Sequence, residues 1–390
     1  MNEAIDTTYS SMTPFNHAYA DRLSLARNSK AQGKKVVGFV GNTVPVELIL
    51  AAGMVPCRLS PIDGDLSDSD GYVETFADSD VRRIFQLYIT GKLDVFELLI
   101  IPRSSESHHK LYLMLREANR VGLGRNVPQL FLYEILHTQR ETSRLYGIQR
   151  TVELWKKLLE INTHVIDEVS SINHAIRLKN QQRYELNQLH EMRWRKKVTG
   201  VDALKVSIAA QFMPVSESIH MLKELINSIS FGHSSSLNLL VRGVPNDQTV
   251  LHEQLAHFGV NVLAEDDDWG ARSGLSEISE TSSNPIEKVF EHYWRDVPCG
   301  RKFPTDDTWF LQKIEQPEVD GVVFYLPEPE DVYGWSYPAD LRVCRNHKKV
   351  TILIRTSCES PQAMREEIKN QLELSSTLRA DKKFLNEASV

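Results

Sequence analysis

Cysteine is scarce and dispersed. Four occur in 390 residues, at Cys57, Cys299, Cys344 and Cys358, and no two form a C-x-x-C pair. A local zinc ribbon or ferredoxin-type cluster is thereby excluded, and in a reducing compartment the four read as buried or surface thiols. Long apolar runs are also missing. The longest, from Leu48 to Val55, is broken by Gly53, far short of the ~20 residues a spanning helix needs, so a membrane is not an expected partner. The opening MNEAIDTTYSSMTPF has neither the basic start nor the apolar core of a signal peptide, which makes the cytoplasm the expected compartment. Positive charge is not in excess: 45 Lys and Arg stand against 52 Asp and Glu, a net charge of −7. Such a chain lacks the basic face that displaces counterions from nucleic acid. Nor is there a G-x-S-x-G elbow, a Walker lysine or an H-E-x-x-H helix, which removes the commonest hydrolase, phosphate-loop and zinc-protease signatures.

What remains has the composition of an ordinary globular protein, with 41% apolar residues and 19 glycines, and a length that predicts two or three domains. A leading segment, 1–33, ends in the polar stretch Asn28 to Lys34. The run Lys35-Val-Val-Gly-Phe-Val40 then reads as a buried parallel strand. Val44 to Gly53 reads as a helix, with Pro45 near its first turn and a glycine at its end. The alternation continues with a strand at Val55–Leu59, an acidic loop from Asp63 to Asp70, and a helix near Asp80–Thr90. A strand at Leu93–Ile101, a helix at Ser107–Arg120 and a strand at Gln129–Tyr133 complete a first α/β lobe, 34–137.

From 138 to 232 the pattern becomes helical. No glycine separates Gly147 from Gly200, and Leu154, Leu158, Ile161, Val165 and Val169 step by three and four, the helical period. This predicts one or two long connecting helices. A second alternating lobe follows, 233–374. Its strands are expected at Leu237–Val241, Val260–Leu263, Asp320–Leu326 and Val350–Ile354, and its helices at Asn246–Phe258 and Pro285–Trp294, with Ser282, Ser283 and Asn284 as cap candidates. The tail, 375–390, has few apolar residues and is expected to fray. The fold class is therefore α/β: two lobes, each with a mainly parallel sheet flanked by helices, joined by a long helical connector.

Local motifs carry little chemistry by themselves. Gly38 and Gly41 suit a tight strand-to-helix turn better than a dinucleotide loop, which needs a third glycine and an acidic ribose ligand. His108 and His109 are adjacent on a helix and point apart, so a solvated helix start is expected. The acidic run Glu265 to Asp268 is expected as a loop after a strand.

Taken in order, however, Val37 to Pro56, Gly91 to Pro102, Asp267-Asp-Trp-Gly-Ala-Arg272 and Asp320-Gly-Val-Val-Phe324 resemble the 2-hydroxyacyl-CoA dehydratase subunits, relatives of the benzoyl-CoA reductase subunits. The first run, with Pro-x-Glu-Leu and then Ala-Ala-Gly-x-x-Pro, is the most specific, and the likeness extends over 34–375. The resemblance implies a two-lobed α/β subunit, cytoplasmic, that pairs as a heterodimer and receives an electron from a separate ATP-driven activator. It also implies a [4Fe–4S] cluster held by three cysteines. Laid on those motifs, the ligand positions fall at Asp78 (or Ser79 one residue on), with Arg82 retained, at Ser105, and at Glu330. None carries sulfur, and oxygen donors are poor substitutes for thiolates at an iron–sulfur cluster. The expectation is that this chain binds no conventional cluster by itself, so that any [4Fe–4S] cluster resides in a partner subunit; carboxylates and a hydroxyl at these positions are the ligand type for magnesium or manganese, but no metal is the expected outcome.

In the family pattern the glutamate corresponding to Glu47 lies near the acyl-CoA cleft, which makes it the candidate for proton transfer. The helix dipole alone also accounts for Glu at a helix start. Gly270 and Arg272 match a Gly-x-Arg after the second-lobe loop, and Arg272 could contact a phosphate or carboxylate, or only the neighbouring aspartates. Three functions follow. The chain is a cluster-free dehydratase (lyase) subunit partnering a cluster-bearing homologue, with an acyl-CoA or other acyl thioester as ligand. Alternatively it is a cluster-free enzyme acting on an acyl or carboxylate substrate, or a non-catalytic scaffold or small-molecule binder.

Overall fold

A computed structural model describes residues 10–62, 66–74, 79–124, 126–229, 232–274, 276–299, 302, 307–328 and 332–387. The chain divides into two units. The first comprises residues 1–187, 208–228 and 274–305; the second comprises 188–207, 229–273 and 306–390.

The first unit is built on four parallel strands, β1 (Val36–Phe39), β2 (Val55–Arg58), β3 (Leu98–Pro102) and β4 (Gln129–Tyr133), in the order β2-β1-β3-β4. Its helices are α1 (Thr13–Ala20), α2 (Ser24–Ala31), α3 (Val46–Ala51), α4 (Ser79–Ile89), α5 (Glu106–Arg120), α6 (Glu141–Ile161), most of α7 (Glu168–Trp194), α9 (Val215–Ser228) and α11 (Pro285–Arg295); α8 (Gly200–Ala209) lies mainly in the second unit. Strand residues alternate between two cores. Val37, Phe39, Leu98 and Ile100 face a cluster with Leu48, Trp155, Ile176 and Phe290, while Val36, Leu99 and Ile101 face one with Ile84, Phe85, Leu111 and Leu115. Helices thus cover both faces, which is why these strands read as continuous apolar runs.

The second unit repeats the plan with β5 (Leu237–Gly243), β6 (Val260–Glu265), β7 (Gly321–Tyr325) and β8 (Val350–Ile354), again all parallel, in the order β6-β5-β7-β8. Leu239, Val241, Val323 and Ile352 pack on one side with Leu251, Leu255 and Met364; Leu240, Val322 and Phe324 pack on the other with Phe310 and Ile314. The flanking helices are α10 (Val250–Ala256), α12 (Thr308–Ile314), α13 (Tyr337–Asn346) and α14 (Pro361–Glu387). The α/β class and the two parallel sheets agree with the sequence expectation.

Details differ. The strand expected over Leu93–Ile101 begins at Leu98, because Leu93, Val95 and Phe96 are buried in the turn before it. The expected stripe from Leu154 to Val169 is interrupted: α6 stops at Asn162, whose Nδ2 donates to Ala52 O at 2.7 Å, and α7 starts where Asp167 Oδ1 accepts from Ser170 N at 3.1 Å. The backbone turns extended at Asn162, and the Asp167 carboxylate caps the next helix, so Val165 falls in a loop and Val169 is exposed, while Ile172, Ala175 and Ile176 take the core face. Asn284 is the N-cap of α11, with Pro285 at the first helical position, but its amide donates to Glu287 Oε2 at 2.6 Å and caps no backbone N–H. Helices α12 and α13 were not anticipated, and the backbone of α14 stays helical to Glu387 where fraying was expected. Among the described residues no helix is long and apolar enough to cross a membrane.

Candidate functional site

In a parallel sheet of order β2-β1-β3-β4 the connections diverge between β1 and β3, and ligands of such sheets bind at the carboxyl edge there. Gly41, one residue past Val40, adopts φ +68°. A Cβ on it would stand 3.1 Å from both Ser104 Oγ and His108 Cε1, so this turn requires glycine on conformational and steric grounds. Gly38, by contrast, lies inside β1 against Phe96. After β3, Ser105 is the N-cap of α5, and its hydroxyl accepts from His108 N at 3.0 Å. Ser104 Oγ lies 2.9 Å from His108 Nδ1, and His108 Nε2 faces Asp80 Oδ2 at 3.8 Å. Cys299 Sγ lies 3.6 Å from Ser104 O.

Glu47 is in the first turn of α3 and completely buried, in an ion pair with the buried Arg183. Burial opposes ionisation, but the charge of Arg183, followed by those of His292 and Lys179, outweighs it and holds the carboxyl below its usual range. Among the described residues Oε2 of Glu47 accepts no hydrogen bond. Lys179, four residues before Arg183 on α7, is pulled down to about 8 by burial and by the Arg183 charge.

The carboxyl edge of the second sheet is crowded with charge. Arg242, at the end of β5, bonds Asp340 Oδ2 at 2.7 Å, Asp307 Oδ1 at 2.5 Å and Asp266, and covers the ring of Phe310 at 4.3 Å. Burial works against its charge, yet the surrounding carboxylates raise it above its ordinary range. Arg272 donates to Asp266 Oδ1 at 2.9 Å and lies over Trp309 at 5.9 Å. Gly270 donates to Asp267 Oδ1 at 2.9 Å, and a Cβ on it would stand 2.0 Å from Glu265 Oε2. Glu265 itself bonds Arg193 and His252; these partners overcome its burial and lower its carboxyl. Asp267, buried beside Glu265 and Asp268, is raised well above the usual value.

The acidic run is a loop after a strand from Asp266 onwards, as expected, with Glu265 itself ending β6; Asp267 and Asp268 are buried in the turn that follows. The solvated helix start expected at His108 is not found, since its side chain is only 15% exposed, lies 2.9 Å from Ser104 Oγ and faces Asp80 at 3.8 Å. The spacing of Ser104 and His108, four apart across a helix start, was the available signal. Arg183, Arg193 and Arg242 were missed altogether, because nothing in a polar helix or strand end announces a buried arginine. Of the three positions expected to correspond to cluster ligands, Ser105 is the helix cap described above, and Asp78 and Glu330 lie outside the described residues. Arg82 pairs with Asp70 at 2.5 Å. All four cysteines are thiols, and burial pushes Cys57 and Cys344 up to about 12.

Two parallel α/β units, each with polar and charged side chains gathered at the carboxyl edge of its sheet, define a doubly wound α/β protein. More narrowly, the chain belongs to the 2-hydroxyglutaryl-CoA dehydratase, D-component family, whose model matches residues 42–374. It is 22% identical over 281 residues to the beta subunit of (R)-2-hydroxyglutaryl-CoA dehydratase from Acidaminococcus fermentans, covering 70% of this chain and 73% of that one. It is 18% identical over 328 residues to the (R)-phenyllactyl-CoA dehydratase beta subunit of Clostridium sporogenes, covering 80% and 84%.

Proposed function

We propose that this chain is a 2-hydroxyacyl-CoA dehydratase-like subunit that holds no iron–sulfur cluster of its own and works in the cytoplasm beside a cluster-bearing homologous subunit, as part of a lyase heterodimer acting on an acyl thioester. One observation carries the reading. Within a match that spans most of the chain, a position where the family pattern implies a cluster thiolate is Ser105, whose hydroxyl is used to cap α5. The donor set does not fit a three-thiolate cluster. An alcohol oxygen engaged with a backbone N–H is a hard, neutral ligand where soft anionic sulfur is required, and Cys57, Cys344 and Cys358 are buried in the cores.

In this reading Glu47 is a positioned carboxylate. Arg183 keeps it ionised, so at neutral pH it can accept a proton or a hydrogen bond but cannot act as an acid. Arg272 is the candidate for an anionic group of the ligand, sharing its guanidinium with Asp266, and Gly270 keeps the turn beside it free of a side chain.

Anaerobic purification of the chain alone, and of the chain co-expressed with a cluster-bearing homologue, followed by iron and acid-labile sulfide analysis, tests the proposal. Iron present only in the co-purified complex is expected. Four irons and four sulfides per isolated chain would overturn it.

A further inference from the structure

The first unit contains an ordered set of three side chains that the dehydratase reading does not use. Ser104 Oγ and His108 Nδ1 are 2.9 Å apart, and the other ring nitrogen, Nε2, points at Asp80 Oδ2 from 3.8 Å. One tautomer satisfies both contacts: the hydroxyl donates to an unprotonated Nδ1 while Nε2–H is directed at the carboxylate. A nucleophile in hydrogen-bond reach of a base that is itself oriented by a third group is the arrangement acyl-transfer centres require, and contacts of this kind are commonly long before a substrate is bound. We propose that Ser104, His108 and Asp80 form a serine acyl-transfer site that hydrolyses activated esters of short acyl groups.

The local sequence builds this set for identifiable reasons. Ser104 follows the carboxyl end of β3, beside the point where the β1 and β3 connections diverge. His108 stands four residues on, in the first turn of α5, and Asp80 occupies the first turn of α4, which packs on α5. Ser105 caps α5 and so fixes the backbone between nucleophile and base. The amino end of a helix carries partial positive charge, which suits the oxyanion that forms when the hydroxyl adds to a carbonyl. Gly41 places a bare peptide, with no side chain, against both Ser104 Oγ and the His108 ring. Ser104 is only 9% exposed, which restricts the site to slender acyl groups. Partial burial disfavours ionisation of Asp80, whose side chain is 40% exposed, but the His108 ring facing it at 3.8 Å prevails and holds its carboxyl below the usual range.

The chemistry balances with water as the only co-reactant. Oγ attacks the acyl carbon as its proton passes to Nδ1, and the bond to the leaving oxygen or sulfur breaks as that atom takes the proton from Nδ1. Water then attacks the Ser104 ester, giving one proton to Nδ1 and from there to Oγ. The products are a carboxylic acid and an alcohol or thiol. That the leaving group is a thiol rests on the dehydratase-like reading above; the ester activity does not.

The test uses the full chain with an alkyl fluorophosphonate, with p-nitrophenyl acetate, and separately with acetyl-CoA, released CoA being measured by chromatography. One fluorophosphonate adduct per chain, mapped to Ser104, is expected. Ser104→Ala and His108→Gln should each lower ester hydrolysis by at least ~100-fold, and the neighbour His109→Gln should leave it unchanged. Ser104→Cys guards against a folding artefact, because a folded variant should become acylated on the new thiol. Absence of a Ser104 adduct in the wild-type protein, or full ester activity in a folded Ser104→Ala, would overturn the proposal. An adduct with ester hydrolysis but no CoA release upholds the site and removes only the thioester substrate. Failure of the cluster experiment above leaves these results unaffected.

Discussion

Arg193 and Glu265, 72 positions apart in the chain, meet in a two-pronged ion pair inside the second unit, with Nη1–Oε2 at 2.7 Å and Nη2–Oε1 at 2.5 Å and both side chains buried. Arg193 also donates to Val262 O at 2.9 Å, and His252 reaches the same carboxylate at 2.5 Å. The pair ties the end of β6 to the last turn of α7 and holds the edge where Gly270 and Arg272 sit.

Breaking this pair should be far costlier than replacing it. Arg193→Met alone strands a buried carboxylate and is expected to destabilise the protein by about 3–5 kcal/mol, whereas Arg193→Met with Glu265→Leu should recover most of that loss. Urea unfolding of the two single variants and the double variant measures the difference. Equal losses in single and double variants would refute a charge-pairing role.

Gly270→Ala places a methyl group 2.0 Å from Glu265 Oε2, and a forced shift of a buried carboxylate should cost about 1–3 kcal/mol. The penalty should shrink in a Glu265→Ala background, which removes the atom that is struck. A penalty of the same size in both backgrounds would place the clash elsewhere.

Glu47 has a folded pKa below its ordinary 4.5. A carboxyl depressed on folding contributes stability at pH values above the unfolded pKa, and that contribution disappears as pH falls through the folded value. Glu47→Gln should therefore be less stable than the parent at pH 7, with the gap closing below about pH 4.5. Melting temperatures recorded from pH 7 to pH 3 check this, and a gap that widens in acid would exclude it.

His190 is lowered from 6.5 to about 4, first by burial and then by the Arg193 charge, and hydrogen-bonds through Nε2 to Ser207 and Ser273 at 3.3 Å. Its folded form stays neutral while the unfolded chain takes up a proton below 6.5, so its contribution to stability is largest above 6.5 and falls as pH drops towards 4. His190→Gln should flatten the stability profile across that window, measured by chemical denaturation at intervals of half a pH unit.

The four thiols should differ sharply in reactivity. Cys57 and Cys344 are buried and raised to about 12, and Cys358 is buried and raised, while Cys299 is partly exposed. Because the thiolate is the reactive form, native protein at pH 8 should release one fast equivalent from a disulfide reagent, lost in Cys299→Ser.

Much of this was legible in the residues alone. Short apolar runs, most beside glycine or proline, marked the eight parallel strands, since a strand buried on both faces is apolar along most of its length. The ordered motifs from Val37 onwards carried the family. What local pattern could not supply was which polar side chains would be buried and paired. Arg183, Arg193 and Arg242 sit in stretches indistinguishable from solvated helix or strand ends, and each is paid for by a carboxylate far away in the chain. Likewise the helical stripe from Leu154 to Val169 looked continuous until the extended backbone at Asn162 and the cap at Asp167 divided it. His108 was one of two adjacent histidines until β3, α4 and α5 brought Ser104 and Asp80 to opposite nitrogens of its ring. Period and composition report burial averaged over a segment. Charge pairing and proton relays depend on distances between segments, and folding alone sets those.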